Sequence, residues 1–402
     1  MASRGVSRVK AGYWFCGPNF LIRPPTDLPI ELFTHLYAGF AEVNSDGSVT
    51  IPSSYSDRFQ DFTRTVRERS NRRVKTLLSI GGEGYDISPV AMDLNKRAKF
   101  IQTSISVARS FGFDGLDLCS LYPTPTPTPS PQNVLPQPCP PIGQIIVLPQ
   151  SCPQIGQINV CPQQYPQPLQ CSSLDILLGE WNQAVRNEAE GDRLLLTAAV
   201  FHHPVIPGKD GCNNFWYPCK AISDNLNWIN VLAINFYTPS NSPTLTGPVH
   251  AWSNHTDRNR CGRSGIEEWI KNGVPAKKLV LALPFSGYEW NLTNQNDENG
   301  LFAEAYPAHK DYKNIHAFVS KRNTEYTTNH VGSYVATYSQ NERSWVGYDD
   351  ERCITRKVSE AIGEKHINLR GCFAWHVGAD DETWTLSNAA FGKDANWPAG
   401  DL

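Results

Sequence analysis

A chain of 402 residues suffices for one large core and a smaller appended one. Its 36 basic and 39 acidic residues give a formal charge of −3, and no basic run interrupts the mixture, which excludes nucleic acid as the expected partner. No apolar run approaches the length of a bilayer span, so no membrane partner is expected either.

Eight short runs rich in β-branched and aromatic residues recur, at 9–14, 35–43, 74–80, 112–118, 194–200, 229–237, 279–285 and 371–377. Each is almost continuously apolar, the pattern of strands buried on both faces of a parallel sheet. Helical patterns lie between them. One spans 57–69, with Phe59, Phe62 and Val66 on one stripe, and another 97–111, with Phe100, Ile101, Ile105 and Ala108. Further helices are predicted at 174–188, 265–272 and 351–365. Eightfold alternation of strand and helix predicts an α/β fold of the (β/α)8 barrel type over residues 1–402, in preference to a doubly wound sheet.

Two segments interrupt the alternation. Residues 289–347 are too long for a loop, and a helical stretch at 312–320 with a strand-like one at 331–338 predicts a small α+β insertion. After the fourth run, residues 124–170 are dominated by Pro and Gln, which favours extended polyproline stretches over helix or central strand. Cys139-Pro-Pro-Ile-Gly-Gln-Ile returns there as Cys152-Pro-Gln-Ile-Gly-Gln-Ile. With no histidine and no Cys-x-x-Cys pair beside Cys139, Cys152, Cys161 and Cys171, no metal site is expected; a disordered or disulfide-pinned insertion is.

The compartment signals conflict. The sequons at Asn254 and Asn291 lean towards an extracellular setting, whereas residues 1–10 show no apolar stretch of a secretory leader. Eleven cysteines, an odd number, leave at least one without an intrachain partner. A local disulfide between Cys212 and Cys219 is compatible with an oxidising compartment.

The fourth run ends in the motif Asp114-Gly115-Leu116-Asp117-Leu118-Cys119-Ser120-Leu121-Tyr122-Pro123. Strand alternation puts Asp117, Cys119 and Leu121 on one side, at the barrel end where such folds place their chemistry. The motif resembles the Asp-Gly-x-Asp-x-Asp-x-Glu signature of plant class V chitinases in glycoside hydrolase family 18. The resemblance continues in Ala11-Gly12-Tyr13-Trp14, in Phe40-Ala41, in Leu78-Ser79-Ile80-Gly81-Gly82, in Phe236-Tyr237 and in Phe373-Ala374-Trp375-His376. It covers nearly the whole chain apart from the proline-rich segment.

The resemblance implies a substrate-assisted mechanism, in which the last Glu of the motif donates a proton and the substrate's acetamido group attacks the anomeric carbon. Here the acid position is Leu121, the acetamido-orienting Asp is Cys119, and the supporting Tyr and Asp are Ile234 and Asn235. A hydrocarbon donates no proton and a thiol is a weak hydrogen-bonding group, so no catalytic residue is assigned. Trp375 matches the family's floor beneath the bound sugar. With Tyr13, Phe40, Asp117, Tyr237 and Asn235 it forms the expected carbohydrate-binding set. Gly81 and Gly82 are expected to serve a tight turn. The expected ligand is an oligosaccharide such as a chitin oligomer or another glycan, as in the chitinase-related lectins, and no cofactor or metal is implied. An active chitinase and an inhibitor or protein-interaction module remain the alternatives. The family suggests an extracellular or vacuolar location, and the oligomeric state is open.

Overall fold

The computed structural model describes residues 8–17, 23–82, 84–120, 169–189, 191, 193–207, 214–253, 260–294, 300–308, 327–331, 334–339, 343–363, 366–395 and 397. Eight strands form one parallel sheet: β1 (Val9–Phe15), β2 (His35–Val43), β3 (Lys75–Gly82), β4 (Gly115–Ser120), β5 (Leu195–Phe201), β6 (Trp228–Leu232), β7 (Leu279–Pro284) and β8 (Gly371–Trp375). Each pairs with the next in order, and β8 pairs back to β1, so the sheet closes into a barrel. Closure makes every strand two-faced, with one side in the barrel and the other under helices, which accounts for the continuous apolar runs.

The flanking helices are α1 (Ser56–Arg69), α2 (Leu94–Ser110), α3 (Leu169–Arg186), α4 (Cys219–Asn225), α5 (Gly262–Lys271), α6 (Glu351–Ile362) and α7 (Thr385–Phe391). Their apolar stripes build the outer core; Trp14 of β1, for example, stacks on Phe62 of α1 at 4.8 Å between ring centroids. Start signals lie in the sequence itself. The Asp93 carboxylate accepts from the Asn95 and Lys96 amides at 2.8 and 3.0 Å, capping α2. The Asp350 carboxylate accepts from the Cys353 amide at 2.9 Å, capping α6.

Several boundaries differ from the sequence expectation. β4 opens at Gly115 rather than residue 112, because Gly112 (φ +72°) serves the turn that closes α2. β6 stops at Leu232 instead of continuing to Tyr237. There the Ala233 amide bonds back to the Val231 carbonyl at 2.9 Å and Asn235 turns left-handed, at φ +60°. α3 begins at Leu169, five residues ahead of the predicted start. The rest of the proline-rich segment, residues 124–168, lies outside the described residues, as does the helix expected at 312–320.

Between β7 and β8 runs a five-stranded antiparallel sheet of Gly287–Leu292, Ala305–Pro307, Thr327–Val331, Tyr334–Ser339 and Ser344–Tyr348. The strand expected at 331–338 is a hairpin instead, since Val331 pairs with Tyr334 and the chain doubles back. Trp290, Leu292 and Trp345 form a separate apolar cluster on this sheet. A buried ion pair, Lys357 with Asp349, joins the sheet's last strand to α6. Cys16, Cys219, Cys353 and Cys372 carry free thiols, and Cys212 lies outside the described residues. No described helix is long and apolar enough to cross a membrane.

Candidate functional site

The eight barrel strands contain two carboxylates, Asp117 and the exposed Glu42. Asp117 points into the barrel and is fully buried. Its register neighbours are Ser79 on β3 and Thr197 on β5, so both hydroxyls face it. Ser79 and Tyr13 donate to Oδ2 at 2.7 and 2.8 Å, while Thr197 and the Asn230 amide donate to Oδ1 at 2.8 and 3.4 Å. A second layer supports the first. Asn230 donates to the Tyr13 hydroxyl at 2.9 Å and accepts from Tyr37 at 3.4 Å, and the Trp228 indole donates to Tyr37 at 3.0 Å. Six strands are thereby tied to one carboxyl group. Burial pushes its pKa up, against the pull of the four donors.

Cys119, two residues further along β4, also faces the interior and is fully buried among barrel-lining apolar groups that include Ile234 and Ala199. Leu121 lies outside the described residues. The expected row of acid, thiol and alkyl therefore has its first two members on the inward face. Gly81, at φ +98°, is required beside them: a Cβ there would lie 2.5 Å from the Tyr85 ring and 2.6 Å from the Cys119 carbonyl.

Above this layer stands an aromatic group at the C-terminal mouth. Trp375, half-buried at the end of β8, meets Tyr13 edge-on at 4.8 Å and Phe15 at 5.0 Å. Phe15 in turn contacts Phe40 at 5.1 Å and His376 at 4.6 Å. Such edge-to-face packing holds the rings rigidly. The expected binding set thus divides. Trp375, Phe40 and Asn235 reach the mouth, whereas Tyr13 and Asp117 are sealed below it and brace the floor. Tyr237 is a wall residue, buried against Phe302, with the Arg260 guanidinium 4.6 Å over its ring. The early end of β6 explains this: the left-handed turn at Asn235 redirects the chain before Tyr237.

Asn235 is held by a residue that sequence reasoning passed over. Its backbone N–H donates to Nδ1 of His250 at 3.2 Å, and Nε2 of the same ring donates to the Ser286 carbonyl at 3.0 Å. One imidazole, 1% exposed, thus bridges the loops after β6 and β7. A lone histidine in Thr246-Gly247-Pro248-Val249-His250 carries no motif, so no sequence signal marked it. Lys357 donates to the His250 carbonyl and to Asp349. The Asn235 Oδ1 is enclosed with no hydrogen-bond partner among the described residues.

Burial and the Lys357 charge hold the His250 ring well below its ordinary 6.5, and burial with the nearby Arg370 pulls His35 down to about 4. Both rings are neutral in the fold, while the unfolded chain protonates them near 6.5. Stability is therefore full above that pH and declines below it, by about 1.4 kcal/mol per pH unit for each ring. His35 ceases to contribute to the slope near pH 4. Urea titrations at pH 7.5, 6.0 and 5.0 are expected to show this fall, with His250→Gln flattening its share. An unchanged stability from 7.5 to 5.0 would contradict the neutral assignment.

A model of the glycosyl hydrolases family 18 matches residues 10–380. A class V chitinase of Arabidopsis thaliana is 36% identical over 397 residues, covering 95% of this chain and 88% of the relative. Among solved structures, a class V chitinase variant from Nicotiana tobaccum in complex with NAG4 superposes with a TM-score of 0.74 at 33% identity, over 95% of this chain and 97% of that one. The chitinase-like agglutinin of Robinia pseudoacacia does so at 0.72 and 31%, over 95% and 98%. The barrel, its motif and these relatives agree: the chain belongs to glycosyl hydrolase family 18.

Proposed function

We propose that the chain binds an oligosaccharide at the C-terminal mouth of the barrel and does not hydrolyse it. The observation that carries this reading is the composition of the mouth. Trp375 stands there braced by Tyr13 and Phe15, while the inward position nearest Asp117 holds the buried thiol of Cys119. An aromatic face contributes stacking to a bound ring. A buried thiol is at most a weak hydrogen-bond donor, and the alkyl group of Ile234 supplies neither a proton nor a charge. The tobacco relative's complex with NAG4 and the Robinia agglutinin support a saccharide as the ligand class.

Calorimetry with N-acetylglucosamine oligomers, followed by a broader glycan panel, tests the proposal. Trp375→Ala is expected to weaken binding about tenfold or more, which corresponds to ~1.4 kcal/mol. Tyr306→Ala, at an exposed position on the inserted sheet, serves as the control and leaves affinity unchanged. Binding to no glycan at all would sink the reading.

A further inference from the structure

The chain has no basic run, yet the barrel gathers basic residues from distant segments at its other end. Arg8 and Arg370 directly precede β1 and β8, Lys75 opens β3, Lys278 directly precedes β7, and Arg193 stands two residues before β5. Parallel strands bring all five to the N-terminal mouth. Asp114, directly before β4, is engaged by Lys75 at 3.1 Å.

Trp228 closes the barrel beneath this ring and is 1% exposed. The Arg370 guanidinium lies 4.9 Å over its indole, and the His35 ring meets it edge-on at 4.9 Å. Arg370 donates from Nη1 to the Lys277 carbonyl at 3.5 Å, and its Nε is enclosed without an acceptor among the described residues. Lys278 donates to the carbonyls of Ser223 and Leu226. Asp224, the acid within electrostatic reach of Lys278, is held by Lys220 at 2.7 Å. Among the described residues, then, no carboxylate forms an ion pair with Arg370 or Lys278. Burial and the Arg370 charge pull Lys278 below its usual pKa, and burial does the same to Arg370. Two partly buried cations facing neutral acceptors are electrostatically incomplete.

We propose that the N-terminal mouth binds a tetrahedral oxyanion of the phosphate or sulfate type, held by Arg370 and Lys278 with Lys75 and Arg193 at its rim. A guanidinium offers paired donors that match two oxygens of such an ion, and an ammonium adds a point charge. The site lies at the opposite end of the barrel from the saccharide mouth and is independent of it.

The test is calorimetry on the full chain with inorganic phosphate, inorganic sulfate and a sulfated trisaccharide, each against sodium chloride at matched ionic strength. Saturable binding is expected, weakened tenfold or more by Lys278→Gln and by Arg370→Gln. Saturation is also expected to raise the His35 titration above about 4, because the anion offsets the charge of Arg370. Binding of the inorganic ions assigns the site to a free oxyanion; binding of the sulfated trisaccharide alone, lost in the same variants, assigns it to a sulfate ester. Near-UV circular dichroism checks each variant's fold, and Lys278→Gln carries the comparison if Arg370→Gln does not fold. If all three ligands match chloride, or if Lys278→Gln binds as tightly as the parent, the proposal is overturned.

Discussion

Chitin oligosaccharides incubated with the purified chain are expected to be recovered uncut, while a variant carrying Leu121→Glu, Cys119→Asp, Ile234→Tyr and Asn235→Asp releases shorter oligomers. The expectation rests on what each position supplies. Positioned acid catalysis is worth about 10²–10⁴ in rate, and a leucine provides none of it. An aspartate at 119 would enter the same inward face as Asp117, two residues along β4, where a pair of carboxyl groups shares a proton because both cannot ionise together. The donors that would steady Asp117 through that exchange, Tyr13 and Ser79, are already within 2.8 Å. The polar network at the base is thus in place, and the four substitutions add the acid and its supporting groups. Product analysis by mass spectrometry decides the matter. A parent chain that cuts within tenfold of the four-residue variant would make the inactive reading wrong.

The second large effect concerns stability. Asp117→Ala removes the acceptor for four donors drawn from β1, β3, β5 and β6: Ser79 and Tyr13 lose the acceptor of their hydroxyl protons, while Asn230 keeps its bond to Tyr13 and Thr197 its longer one to the Leu116 carbonyl. A buried donor left unsatisfied typically costs about 1–3 kcal/mol, so a loss of about 3 kcal/mol is expected from the two hydroxyls together. Asp117→Asn keeps the shape but turns an amide N–H towards hydroxyl donors, so it is expected to recover only part of the difference. Urea unfolding of the two variants beside the parent measures this. A loss below about 1 kcal/mol for the alanine variant would show that the network is dispensable.

Much of the fold was legible because closure leaves a strong mark on the sequence. Strands covered on both faces read as apolar runs, and all eight were found within a few residues of their observed ends. The misplaced ends share a cause. Gly112 and Asn235 both take positive φ, and a local change of backbone hand does not alter the apolar pattern that a run-based reading follows. At the site, Trp375, Cys119 and Asn235 could be named from the motif and its spacing. The depth of Tyr13 and Asp117 could not, since it depends on partners 38 to 113 residues away in sequence from Asp117. His250 was invisible for a similar reason. Its role comes from the Asn235 amide and the Ser286 carbonyl, backbone groups that no side-chain pattern records.

The pairing of β8 with β1 has a consequence for how the chain is made. The Arg8 bond to the Leu369 carbonyl, beside that seam, joins residues 361 positions apart. Until β8 has left the ribosome, β1 and β7 each present a bare sheet edge, long and apolar, of the kind that recruits other chains. Contacts of such separation also form slowly, because a large loop must close before they stabilise anything. The nascent barrel thus passes through a prolonged open stage. Protection by chaperones is expected to matter most in the interval between synthesis of β7 and synthesis of β8.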